Sequence, residues 1–370
     1  MHQISSEAST SVRPFFSTSY TEARAKFIAA SAKVSAVVEH HVLPIHFGAQ
    51  GETLSTNVAL VGPTNAKSLL ILSSGVHGPE GLCGSGCQIS LLHDDALLRL
   101  AEEREVALLL IHAVNPYGFS HIRRTNEDNV DLNRNFIDFS NPTRNSAYAK
   151  LHDLLIPAQW PPSEDNIRAM ATYRATHGEI GFRDALTTGQ SEVPGGLFYA
   201  GVSPSWSNWT LRRILRTHGA RRERIAWIDI HTGLGRFGHG EKIHAGRTGA
   251  LDNLRATRTV WGADVVAAWR GESASRQVLG QATAAMFEEC PQAEHLAIAL
   301  EYGTKQGSAL DALRAESWLQ RYPRAASAAQ KNRIKKDLLD AFYVDHDEWR
   351  GMVVGQCRTA ILQGCLALGY

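Results

Sequence analysis

The chain has few of the features that mark secreted, disulfide-bonded or nucleic-acid-binding proteins. Only five of its 370 residues are cysteine, an odd number with no pair of CxxC motifs. We therefore expect neither a disulfide framework nor a cysteine zinc knot, and a reducing compartment fits better. Charge of one sign is not in excess, because 38 Lys and Arg residues face 37 Asp and Glu residues, a formal charge of +1. This balance predicts no nucleic-acid partner and no anionic membrane partner.

Segments that direct a chain into or across a membrane are also missing. Residues 1–16 (MHQISSEASTSVRPFF) lack the basic start and the apolar run of a signal peptide. No stretch reaches the ~18 consecutive apolar residues that a membrane span needs. Hydrophobic residues make up 44% of the chain and charged residues 20%, enough to bury a sizeable core. We expect a globular, cytoplasmic protein.

Two common enzyme motifs are absent, and a third occurs in the wrong context. No GxSxG or GxxxxGK[ST] sequence is present, so we expect neither a common serine hydrolase nor a P-loop protein. Gly233, Gly235 and Gly238 satisfy GxGxxG after an apolar run, but the residues that follow are a poor helix start. A dinucleotide site needs a helix at that point, so we do not expect one here.

Apolar runs alternate with helical patterns along most of the chain. Strands are predicted at 41–47, 57–62, 68–73, 105–113, 224–230 and 296–300, and helices at 20–38, 87–103 and 311–343. This order predicts an α/β fold with a central mixed, mostly parallel β-sheet flanked by helices. Residues 141–217 show no strong strand, so we interpret them as a long, partly helical insertion within a single domain spanning 1–370.

Polar side chains follow several of the predicted strands, where open α/β sheets bind their ligands. His77 and Glu80 come soon after one strand, His231 directly after another, and Glu301 after the last. Two imidazoles and a carboxylate form a catalytic zinc set that leaves a position for water. HxxE recurs by chance, however, and a histidine that ends a strand is often structural, so the residues alone leave both interpretations open.

The segment 123–136 (RRTNEDNVDLNRNF) carries a further group of polar residues. Its arginines, Asn and Asp could bind a carboxylate through forked, charge-assisted hydrogen bonds. The alternative is a solvated loop anchored by Leu132 and Phe136.

Taken in order, these motifs resemble a known family. HxxE, NPxG from Asn115, an Arg nine residues before the Asn of DLNRNF, a distant His after a strand and a late strand-end Glu are similar to the pattern of M14-type zinc carboxypeptidases. Deacylases of the succinylglutamate desuccinylase and aspartoacylase kind share much of it. The nearest likeness is to the branch known as DUF2817. The resemblance spans about residues 68–303.

The resemblance implies a role for each matching residue. One zinc ion would be held by His77, Glu80 and His231, with Glu301 as the general base. Arg124 would polarise the scissile carbonyl, and Asn133 and Arg134 would hold the substrate's carboxylate. Asp131 would orient the first zinc histidine. The implied activity is zinc-dependent hydrolysis of an amide next to a free carboxylate, on a small peptide or, alternatively, an N-acyl amino acid. A second alternative is an inactive carboxylate-binding protein.

The sequence also departs from the family. Residues 276–293 contain no Tyr, whereas digestive carboxypeptidases place a substrate-capping Tyr some twenty residues before the catalytic Glu. The insertion 141–217 has no clear counterpart in the family. Its aromatic residues predict either a lid or pocket wall, or a satellite core: Trp160, Tyr199, Trp206 and Trp209.

Overall fold

A computed structural model describes residues 11–369. The first ten residues, and with them most of the segment examined for a signal peptide, lie outside the described residues, and a cytoplasmic location stays a prediction. Among residues 11–369, every helix is too short or too polar to span a bilayer. All five cysteines are buried and free of disulfide bonds.

The fold is built on one seven-stranded sheet. Its strands are β1 (Val37–Phe47), β2 (Thr53–Val61), β3 (Ser68–Ser73), β4 (Val106–His112), β5 (Arg224–Phe237), β6 (Gly240–His244) and β7 (Glu294–Gly303). The helices of the described residues are α1 (Tyr20–Lys33), α2 (Gly81–Leu91), α3 (Asp95–Glu103), α4 (Pro116–His121), α5 (Ser146–Leu155), α6 (Glu164–Thr187), α7 (Trp206–Gly219), α8 (Leu251–Trp261), α9 (Ala285–Glu289), α10 (Ala309–Arg321), α11 (Ala328–Phe342) and α12 (Asp347–Leu368).

The strand order is β1-β2-β4-β3-β5-β7-β6. The central strands β4, β3, β5 and β7 run parallel to one another. Strands β1, β2 and β6 pair antiparallel at the two sides. The predicted α/β fold with a mixed, largely parallel central sheet is therefore confirmed. The carboxyl ends of β3, β5 and β7 meet at one edge of the sheet.

Both faces of the sheet are covered, which explains why its central strands are continuously apolar. Along β3, Leu70 and Leu72 point into a core shared with α1, α2 and α12. The alternate residues Leu69 and Ile71 point into a second core with α7 and α9. Because successive side chains of a strand face opposite sides, one apolar strand serves two cores.

The insertion does not form a core by itself. Its helices α5 and α6 pack with α10 and α11 in a third cluster, which Trp160 borders. Helix α7 and Tyr199 instead pack on the sheet in the second core. Trp206 lies against the first core, and Trp209 is 57% exposed. The predicted aromatic residues are therefore dispersed rather than gathered into one wall or one satellite core. The assignment of 1–370 to a single domain stays a prediction.

Several boundaries differ from those predicted. The helix predicted at 20–38 ends at Lys33, and Val37 already begins β1. The helix predicted at 87–103 is two helices, because Asp94 interrupts the pattern and caps α3 by accepting a hydrogen bond from the Leu97 amide. Strand β5 runs on to Phe237, and its glycine motif is followed by the short strand β6 and not by a helix. The residues after the glycine motif thus do not start a helix, as predicted.

Candidate metal centre and active site

The turn after β3 places two polar side chains at the edge of the sheet. Gly75 has a φ of +66°, a backbone conformation that favours glycine. At Gly78 a Cβ atom would lie 2.0 Å from the carbonyl carbon of Gly118, so only glycine allows this approach. The chain can therefore turn within a few residues, and His77 and Glu80 are both buried at the carboxyl end of β3.

Three side chains converge at this point. The Glu80 carboxylate bridges two imidazoles, with Oε1 2.9 Å from His77 Nδ1 and Oε2 2.9 Å from His231 Nδ1. One ligand atom from each residue lies within 4.8 Å of the other two, so the group could hold a metal ion. His231 reaches the site from β5, the immediate neighbour of β3.

Each histidine has a carboxylate at its other ring nitrogen. His77 Nε2 lies 3.2 Å from Asp131 Oδ1, and His231 Nε2 lies 2.7 Å from Asp229 Oδ2. These contacts favour the tautomer with hydrogen on Nε2, which leaves the Nδ1 lone pair for a cation. A His, Glu, His donor set oriented in this way fits a catalytic zinc ion.

The carboxylates of the site are held ionised. Burial alone would raise the pKa of Glu80, but His77 and His231 outweigh it and hold that pKa below its usual range. Burial also opposes ionisation of Asp131, yet Arg124 and Arg134 keep its pKa well below the ordinary value. These two buried carboxylates are thus compensated by the histidine and arginine side chains around them.

Glu301 is a separate carboxylate beside the cluster. Its Cα atom pairs with that of His231 across β5 and β7. Its Oε1 accepts a hydrogen bond of 3.0 Å from the Leu234 amide. Burial, together with the charge of Glu80, raises the pKa of Glu301 to about 8. A carboxyl group of this kind can both accept and deliver a proton near neutral pH.

Arg124 lies between the cluster and the insertion. Its Nε donates to Asp131 Oδ2 at 2.9 Å, and its Nη1 is 3.6 Å from Glu80 Oε1. The side chain borders the site and is 13% exposed, so part of it remains accessible to solvent. Its guanidinium carbon lies 5.2 Å from the ring centre of Phe198.

Asn133 and Arg134 face different directions. The Asn133 Oδ1 accepts from the Ala282 amide at 3.0 Å, and its Nδ2 lies 3.3 Å from His231 Nε2. Arg134 instead directs Nε and Nη2 to the Thr187 carbonyl oxygen, at 2.9 and 2.6 Å. The structure thus brings Asn133 to the cluster, while the guanidinium of Arg134 contacts the insertion.

Two neighbours of the site were missed by the sequence analysis. Asp229 lies two residues before His231 on β5, and residues i and i+2 of a strand share a face, so the spacing alone could have identified it. Phe198 lies over both arginines, 5.2 Å from Arg124 and 5.1 Å from Arg134. No local sequence signal connects a residue of the insertion to segment 123–136.

Several solved structures are similar to this chain at low identity. A carboxypeptidase A from Helicoverpa armigera is 15% identical, with a TM-score of 0.42 over 88% of this chain and 74% of that one. A putative carboxypeptidase A from Shewanella denitrificans is 13% identical, with a TM-score of 0.46 over 95% and 70%. A metallo-carboxypeptidase from Burkholderia cenocepacia is 13% identical, with a TM-score of 0.42 over 92% and 68%. At these values the likeness assigns no activity.

A comparison with curated proteins gives no match. One family description matches most of the sequence, residues 16–356, and reads "Protein of unknown function (DUF2817)". The match includes every residue of the site described above. This chain therefore belongs to the DUF2817 family, as its motifs predicted.

Proposed function

We propose that this protein is a zinc-dependent hydrolase that cleaves an amide bond adjacent to a free carboxylate, in the manner of a carboxypeptidase. One observation carries the proposal. The Nδ1 atoms of His77 and His231 converge on Glu80 while a carboxylate contacts the Nε2 atom of each imidazole. Two histidines and a glutamate with this support match the ligands of catalytic zinc.

In this proposal His77, Glu80 and His231 hold one zinc ion. When bound there, zinc would supply a Lewis acid that polarises a carbonyl and lowers the pKa of water to about 7. Asp131 and Asp229 keep the two imidazoles in the tautomer and orientation that present Nδ1. Loss of either carboxylate would loosen a histidine without removing it.

Glu301 is the proposed general base. Its carboxylate accepts the proton of the attacking water and then passes that proton to the nitrogen of the leaving amine. The Leu234 amide fixes one of its oxygens at 3.0 Å and leaves the other for the proton. Burial and the charge of Glu80 raise the pKa of this carboxyl group, and a bound zinc ion would lower it again toward the range of an ordinary base.

Arg124 and Asn133 are the proposed contacts to the substrate. Both are partly exposed at the site. Arg124 would donate to the carbonyl oxygen as negative charge develops on it, which strengthens a charge-assisted hydrogen bond during the reaction. The resemblance also assigns Asn133 and Arg134 to the substrate's carboxylate.

The proposal is tested by a substrate panel with zinc-loaded protein. The panel holds peptides with a free terminal carboxylate and N-acyl amino acids, and the Glu301→Gln variant is the matched control. We expect hydrolysis that requires zinc and that falls sharply in the variant. Cleavage of N-acyl amino acids alone would identify a deacylase. Zinc binding without any turnover would identify the inactive carboxylate-binding alternative and contradict the proposal.

A further inference from the structure

A second cavity, of about 230 Å³, lies behind the turn that follows β3. Gly78 and Pro79 of that turn form part of its wall, and the rest comes from the loop between β1 and β2, the start of α1, and residues of α2, α4 and α11. None of the proposed metal ligands lines it, and neither does Glu301. Sites for drug-sized ligands measure ~300–1,000 Å³, so a cavity of this size admits only a small molecule.

One side of this cavity is apolar and the other is polar. The Tyr20 and Phe119 rings meet edge-on, with their centres 5.5 Å apart. The Tyr20 hydroxyl exchanges two hydrogen bonds with the backbone of Ser55, so only its ring is left for a ligand. Glu52 is the only charged residue among the described residues that line the cavity. The other apolar residues of the wall are Pro79, Leu82, Ile122 and Leu339.

The Glu52 carboxylate is held in place but not fully used. It accepts hydrogen bonds from the Gln50 amide at 2.8 Å, from the Ser120 hydroxyl and from its own backbone amide. An ionised carboxylate offers about four lone-pair positions, so at least one remains for a ligand. Burial would raise the pKa of Glu52, but these hydrogen bonds outweigh it and hold that pKa below the ordinary value. The group is therefore an oriented anion at neutral pH.

The chain supplies no cation to this carboxylate. Nearby Glu22 pairs with Lys26 at 2.8 Å, whereas Glu52 forms no ion pair with any Lys or Arg of residues 11–369. The start of α1 also borders the cavity, and a helix N-terminus favours negative charge. That preference is already met, because Ser19 Oγ accepts from the Glu22 amide and the Glu22 carboxylate lies in the first turn. A cation is thus the complement that the cavity lacks.

We propose that this cavity is a binding site for a small primary amine with an apolar tail, separate from the metal centre. The ammonium group donates to the Glu52 carboxylate, and the tail lies against Phe119, Leu82 and Pro79. An ionised donor makes the hydrogen bond charge-assisted, which selects an amine over an alcohol of the same shape. The site does not depend on the proposed hydrolase function.

Titration of metal-free protein with three probes of equal chain length tests the charge preference. Pentylammonium should bind at least ~10-fold more tightly than 1-pentanol, because a hydrogen bond between charged groups is stronger than one with a neutral partner. Pentanoate should bind more weakly than either. Backbone amide shifts at Gln50 and Ser120, with Thr232 beside the metal cluster unshifted, would place the probe in this cavity. Equal binding of pentylammonium and 1-pentanol, or tighter binding of pentanoate, would overturn the proposal.

A charge-removing variant tests the assignment to Glu52. Glu52→Gln keeps the size of the side chain, so pentylammonium affinity should fall at least ~10-fold while 1-pentanol affinity is unchanged. Glu102→Gln is the matched control, because Glu102 is an exposed carboxylate on α3, and it should bind pentylammonium like the wild type. Unchanged affinity in Glu52→Gln would overturn the proposal, and the three probes decide it on the wild type if that variant fails to fold. Absence of hydrolysis would contradict the proposed function alone, since these titrations need no zinc.

Discussion

Two regions of the molecule border the candidate site, and they are built in different ways. The sheet edge supplies His77 and Glu80 from the turn after β3, His231 from β5 and Glu301 from β7. The insertion supplies Phe198 and the Thr187 carbonyl through contacts with residues more than fifty positions earlier in the sequence. Reactive groups are therefore placed by the strands that carry them, whereas the wall depends on long-range packing. Single substitutions in each region can measure the contributions of the two regions separately.

The largest effect should come from removing a proposed metal ligand. His231→Ala deletes one of the three converging side chains, and zinc affinity should fall by more than ~100-fold, since even an outer partner of a ligand contributes ~10–100-fold. Titration of zinc into metal-stripped protein measures this. His239→Ala is the control, because His239 is an exposed histidine on the turn after β5. Equal zinc binding by the two variants would remove His231 from the metal site.

The next largest effect should be catalytic. Glu301→Gln keeps the size of the side chain but removes the proton acceptor, so turnover should fall by ~10²–10⁴-fold while bound zinc is retained. Single-turnover kinetics measure the turnover, and elemental analysis of the same sample measures the bound zinc. Loss of zinc from this variant would make Glu301 a ligand and change its assigned role.

A smaller effect should come from the carboxylates behind the histidines. Asp131→Asn and Asp229→Asn should each lower zinc affinity by ~10–100-fold, because each weakens the bond that orients one imidazole. The two variants form a matched pair, one predicted by the resemblance and one found in the structure. A normal affinity in Asp229→Asn would mean that His231 is oriented by other contacts.

The comparison of Asp131 with Asp229 also shows which parts of the site could be predicted from the sequence. The strands with reactive ends were predictable because buried strands are apolar and their ends are polar, so His77, His231 and Glu301 stood out. Asp229 could have been predicted from its spacing to His231. Phe198 and the Thr187 carbonyl could not have been predicted, because their positions beside the site depend on which surfaces pack together. The short edge strand β6 and the helix α12 were likewise missed.

The smallest effect should come from the surface contact of the insertion. Arg276 and Asp184 form an ion pair of 2.8 Å whose side chains are 28% and 50% exposed. Arg276→Ala should change the free energy of unfolding by less than ~1 kcal/mol, because exposed pairs contribute little. Denaturant unfolding measures it. A larger loss would mean that this surface pair contributes more to holding the insertion in place than exposed pairs usually do.

In the proposed function, His77, Glu80 and His231 bind one zinc ion at the carboxyl edge of the sheet. Anomalous diffraction at the zinc absorption edge from crystals of zinc-loaded protein tests it most directly. We expect one peak, ~2.0–2.2 Å from His77 Nδ1, His231 Nδ1 and a Glu80 oxygen. A peak at other residues, or none at this cluster, would contradict it.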